Sequence, residues 1–114
     1  MPLGSLKGLA TTSAAVQYTV FCTPSTSTTD NLPPGSHTSA AVTANVTGGV
    51  EPYTFQWTKL SGNPIGISDD TAQVVTFNAS SGGGDLVATY EVEVTDNVAA
   101  KVSTEILVEF LFLE

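Results

Sequence analysis

The stretch Gly48–Gly62, GGVEPYTFQWTKLSG, decides the fold. Tyr53, Phe55 and Trp57 fall at alternate positions, so a strand places all three on one side. They could form either a stacking platform for sugar rings or the middle of a core. A platform would need aromatics on the solvent side, and that side carries Thr54, Gln56 and Thr58. The trio is therefore expected inside, where its burial contributes several kcal/mol at roughly 25 cal/mol per Å². Gly48 and Gly49 can take the positive φ that a tight turn before this strand demands.

Working outward, Ala15–Cys22 reads as a first strand with Val16, Tyr18, Val20 and Cys22 on one face. Residues Thr23–Thr38 are rich in Ser, Thr and Pro and are expected to be a long loop that Pro33-Pro34-Gly35 keeps irregular. Val42, Ala44 and Val46 alternate in the next strand. A very short strand is expected at Ile65–Ser68, and Val75 and Phe77 share a face of AQVVTFNA. Gly82–Asp85 reads as a flexible turn. In VATYEVEVTD, Tyr90, Val92 and Val94 face in while Glu91 and Glu93 face water. In the last strand Val102, Thr104, Ile106, Val108 and Phe110 face in, and Leu111 and Leu113 break the inward parity. About seven strands with turns between them predict an all-β, two-sheet antiparallel sandwich. Its core is expected to hold Tyr53, Phe55, Trp57, Phe77, Tyr90, Val92 and Val94. The chain divides into an extended arm over 1–14 and one domain over 15–114.

Composition narrows the function. The chain has three lysines, no arginine and a formal charge of −8. It has no basic face with which to neutralise phosphates, so nucleic acid is excluded, and an anionic membrane surface would repel it. Cys22 is the single cysteine and reads as a small buried thiol. The N-terminal residues lack the apolar run of a signal peptide, although Met1–Ser5 resembles a cloning scar, and no apolar stretch is long enough for a membrane helix.

The sequence offers few groups for chemistry. His37 is the only histidine and lies among Pro, Gly and Ser, without the orienting carboxylate or nucleophile elbow of a hydrolase. With one histidine and one cysteine, a structural zinc site lacks ligands. Asp69, Asp70, Asp85, Asp96 and Asn97 lie in expected loops, where oxygen ligands for calcium are found, but they show no Asp-x-Asp repeat. Asp96 is expected to close a turn through its own side chain. Gly82–Asp85 lacks the lysine and helix of a phosphate cradle. Asn45 and Asn78 begin Asn-x-Ser/Thr triplets, a pattern frequent by chance. The expectation is a protein that is not an enzyme and holds no metal or cofactor.

Taken together, VTANVTGGVEPYTFQWTKLSG, VVTFNA and YEVEVTDNVAAKVSTEILVEF resemble the immunoglobulin-like or PKD-like domains of bacteriophage virion proteins. The resemblance spans about Ser39–Phe110. It implies an immunoglobulin-like sandwich used for display or adhesion, with no catalytic residues. The expected function is that of a structural accessory of a phage particle, made in the host cytoplasm and decorating capsid or tail. Its partners would be other virion proteins, with homo-oligomers as a further option. Leu3, Leu6 and Leu9 in the arm, with Leu111 and Leu113 at the other end, are the expected docking residues. The alternative is an adhesin module for host-surface glycans or proteins.

Overall fold

The computed structural model describes residues 17–113. Among them are ten strands and no helix: β1 (Thr19–Thr23), β2 (Thr26–Leu32), β3 (Gly35–Thr38), β4 (Val42–Thr47), β5 (Thr54–Gly62), β6 (Gly66–Ile67), β7 (Val74–Val75), β8 (Phe77–Ser81), β9 (Leu86–Thr95) and β10 (Lys101–Phe112). One layer is the four-stranded sheet β2-β10-β9-β5. The other is built from two three-stranded sheets, β1-β4-β7 and β3-β8-β6. The run Val74–Ser81 joins these two, pairing with β4 through Val75 and with β3 and β6 from Phe77 onward.

The core lies between the layers. Val20, Cys22, Val42, Ala44, Val75, Phe77 and Ala79 come from one side, and Trp57, Tyr90, Val92, Val94, Ile106, Val108 and Phe110 from the other. Trp57 is 2% exposed. Its indole meets the edge of Phe77 at 6.1 Å between centroids, and Phe77 packs on Tyr90 at 4.9 Å. The polar atoms of these rings are satisfied as burial requires. Trp57 Nε1 donates to the Ala72 carbonyl at 2.8 Å, and the Tyr90 hydroxyl donates to the Ile65 carbonyl. Burial pushes the Tyr90 hydroxyl pKa up, and it pushes the Cys22 thiol up to about 11, where it stays protonated and unreactive.

The structure corrects several expectations. Thr23–Thr38 is not a loop: it contains β2 and β3. β2 carries Thr26, Thr28 and Asp30 outward, and its inward residue is the small Ser27, 4% exposed, so it lacks apolar alternation. It is an edge strand that pairs with β10 in parallel, so the sandwich is not wholly antiparallel. Its register slips between Thr29 and Leu32, and Asn31 takes a φ of 57° there. That bulge turns Leu32 inward, against the parity set by Ser27. AQVVTFNA is two strands rather than one, because the chain changes sheets at Thr76. Tyr53 and Phe55 are only half-buried, because β5 is the edge of its sheet. Glu91 and Glu93 are half-buried on the outer face rather than fully in water. Phe112 is buried at 5% exposure, so the inward parity of β10 continues past Phe110. The first strand begins at Thr19; Val16 and the arm 1–14 lie outside the described residues.

Candidate functional site

The Gly48-Gly49 turn and Asp96 form one junction at an end of the sandwich. Gly48 and Gly49 have φ of 76° and 74°, a region that costs L-residues energy. A Cβ on Gly49 would lie 2.9 Å from Cδ1 of Tyr18, so the ring leaves no room for one. Tyr18 stacks on Tyr53 at 6.5 Å, and its hydroxyl lies within hydrogen-bonding distance of the carbonyls of Val94 (3.0 Å) and Ala100 (3.1 Å). The Tyr53 hydroxyl donates to the Gly48 carbonyl. Asp96 accepts from three backbone amides: Val50 at 3.0 Å, Val98 at 3.1 Å and Ala100 at 2.8 Å. Both carboxylate oxygens are thus engaged in tying the loop before β5 to the turn between β9 and β10.

Burial pushes the Asp96 carboxyl up, but the amides of Ala100, Val50 and Val98 outweigh it and hold the pKa below the ordinary carboxylate value. A carboxyl depressed on folding stabilises the fold at pH above its unfolded pKa, and that contribution is lost as pH falls through the folded one. Stability is therefore expected to drop on acidification below about pH 4. Asp96→Asn should lower stability at pH 7 and flatten this acid limb. Urea unfolding from pH 7 to pH 2 measures both effects; an unchanged acid limb in the variant would contradict the assignment.

The remaining polar candidates serve their own turns. His37 Nε2 lies 2.8 Å from the Pro33 carbonyl, to which it can only donate, and its ring edge meets Phe112 at 5.6 Å. Asp69 accepts from the Thr71 amide and hydroxyl, which together hold its pKa down. Asp70 accepts from Gln56, and Asp85 accepts from the Phe112 amide at 2.8 Å. Among the described residues, no three His, Cys, Asp or Glu side chains gather as a metal site would need. Gly82–Asp85 turns around Ser81, whose hydroxyl accepts from the amides of Gly83 and Gly84. Asn45 is engaged by Phe21 and Thr23 of β1, whereas Asn78 is exposed.

Among the described residues are two open depressions. One, of about 560 Å³, lies on the outer face of β3-β8-β6 and is lined by Ser36, Thr38, Asn78 and Ser80 around Gly66. Its lining also includes His37 and holds no Asp, Glu or Lys. The other, of about 420 Å³, wraps the start of β5 and is lined by Tyr53, Phe55, Gln56, Thr71, Glu93 and Thr95. Of the expected docking residues, Leu113 is 51% exposed and Leu111 is half-buried, while Leu3, Leu6 and Leu9 lie outside the described residues. Phe21, 54% exposed on the outer face of β1, is a surface aromatic absent from the expected docking set; its parity opposite Val20 and Cys22 is the signal that points it outward.

No family model and no curated protein matches the sequence. The structure is similar to the ASH/PapD-like domain of human CEP192, PapD-like domain 7, with a TM-score of 0.62 over 99% of both chains and 11% sequence identity. At that identity the likeness is one of fold, and the fold is an immunoglobulin-like β-sandwich.

Proposed function

We propose that this chain is a non-enzymatic structural accessory of a phage particle, an immunoglobulin-like domain that decorates the capsid or tail by docking on other virion proteins. The observation that supports this reading best is the fate of the aromatic strand. Trp57 is sealed in the core and Tyr53 is spent on the Gly48 turn, so the sequence's densest aromatic run serves the scaffold. The virion assignment itself rests on the sequence resemblance over Ser39–Phe110. Docking is assigned to the leucines of the arm and to exposed Leu113. Truncation at Phe110 is not a clean test, because it removes buried Phe112. Point substitutions avoid that loss. Leu3, Leu6 and Leu9→Ser together, and Leu113→Ser alone, should each leave the unfolding midpoint near that of the parent and lower particle occupancy. Normal occupancy in both, by quantitative gel analysis of purified particles, would refute the docking assignment.

One observation favours a second reading, a host-surface glycan-binding module. The depression at Ser36, Thr38, Asn78 and Ser80, lined by hydroxyls and an amide with His37 beside them and no Asp, Glu or Lys, offers donors and acceptors to a neutral polyhydroxyl ligand. Saturable glycan-array binding that Asn78→Ala abolishes would favour this reading over pure decoration.

A further inference from the structure

β6 carries a glycine that its backbone does not require. Gly66 sits in a strand with φ outside the left-handed region, a conformation open to any L-residue. Glycine inside a strand costs stability and often marks a place where another group approaches the backbone closely. The group here is the Asn78 side chain. Gly66 lies opposite Asn78 in the ladder, and a Cβ on Gly66 would lie 2.7 Å from Asn78 Oδ1, 3.3 Å from Cγ and 3.4 Å from Nδ2. The amide group is thus laid across the bare glycine, within the depression on the outer face of β3-β8-β6.

The polar side chains around it are uncommitted. Nearby Ser39 and Ser81 use their hydroxyls within the fold: Ser39 donates to the Ala40 carbonyl and accepts from the Phe77 amide, and Ser81 donates to the Gly84 carbonyl. Among the described residues, the side chains of Ser36, Thr38, Asn78 and Ser80 have no such partner. Thr38 lies opposite Asn78 and Ser36 opposite Ser80, so hydroxyls surround one primary amide. That amide offers an acceptor and donors in one plane, and each hydroxyl offers both, the complement of adjacent hydroxyls on a sugar ring. Pro64 adds an apolar wall for the ring's C–H face. His37 lines the same depression, with Nε2 already taken by the Pro33 carbonyl. An acidic sugar finds no lysine in this lining, and the chain's formal charge of −8 repels it at longer range.

We infer that Gly66 is the positioning residue of a neutral-sugar site: its missing side chain lets the Asn78 amide lie where it reads adjacent hydroxyls. The inference rests on the glycan-binding reading of this depression, and it adds the charge class of the ligand and the residue that orients the reading group. The test compares the full chain with Gly66→Ala, and with Gly84→Ala as a control outside the depression. On an array of neutral oligosaccharides and their sialylated counterparts, the parent should bind neutral members saturably and sialylated ones at least about tenfold more weakly. Gly66→Ala should lose at least about tenfold in affinity for the neutral members. Its urea midpoint should stay at or above that of the parent, because alanine suits a strand better than glycine. Gly84→Ala should bind like the parent. In the protein without glycan, the Asn78 side-chain amide signals in the NMR spectrum should shift in Gly66→Ala. Signals unchanged from the parent overturn the positioning role whatever the array shows. Parent binding that Asn78→Ala abolishes and Gly66→Ala leaves intact overturns the inference alone, whereas no saturable binding by the parent overturns the glycan reading with it. Equal binding of the sialylated counterparts overturns the neutral ligand class.

Discussion

Trp57→Ala should destabilise the domain by about 3–5 kcal/mol, the range found when a large aromatic is removed from a core. Three losses combine. The indole is 2% exposed, so its apolar surface is fully buried. Phe77 loses the partner against its edge, and Phe77 is itself fully buried against Tyr90. The Ala72 carbonyl loses the donor Nε1. A domain of this size has about 5–15 kcal/mol to lose, so the variant should unfold at a much lower urea concentration. Trp57→Phe keeps part of the ring volume and should lose less. Far-UV circular dichroism reports both variants without relying on the missing indole. A loss below about 1 kcal/mol in Trp57→Ala would show that the two layers do not close over this residue.

The second large effect is expected at Gly62, the end of β5. Its φ is 105°, and a Cβ there would lie 2.3 Å from the Val87 carbonyl oxygen and 2.5 Å from the Ala88 Cα. Both are backbone atoms of the neighbouring strand, so no side chain can swing away to relieve the contact. Gly62→Ala should cost about 2–4 kcal/mol, combining an unfavourable backbone conformation with displacement of the ladder. Gly84→Ala is the matched control. A Cβ on Gly84 would meet nothing within 4 Å, and its φ lies outside the left-handed region, so its effect should stay within about 0.5 kcal/mol. Equal melting temperatures for the two variants would refute the steric account.

The strands legible in the sequence are those with a strong apolar face. β9 and β10 alternate over ten and twelve residues, and hydrophobic parity alone places Tyr90, Val92, Val94, Ile106 and Val108 inside. β2 is hidden because its inner positions are Ser27 and Thr29, too small and polar to register as a core face. What holds it is pairing with β10, and threonine's preference for extended backbone is a weak signal beside that. The split of Val74–Ser81 is hidden for a different reason: alternation reports which side faces in, and Val75 and Phe77 both face in while belonging to different sheets. The same limit applies to Tyr53 and Phe55. Parity assigns their side correctly, but whether a strand is central or at an edge depends on pairing between distant segments. The junction at Gly48, Gly49 and Asp96 is partly readable, since glycine pairs and turn aspartates carry local chemistry. The contribution of Tyr18, far away in sequence, is not.

The parallel pairing of β2 with β10 has a mechanical consequence. Because the two strands run in the same direction, a pull that draws Thr26 and Phe110 apart along the strands slides one past the other. The bonds linking Leu107–Phe110 to Thr26–Thr29 then bear load together, in shear, instead of opening one after another like a zip. In a domain drawn out by its two ends, the load would come to bear on that seam once β1, which precedes β2 and pairs with β4, had been pulled away.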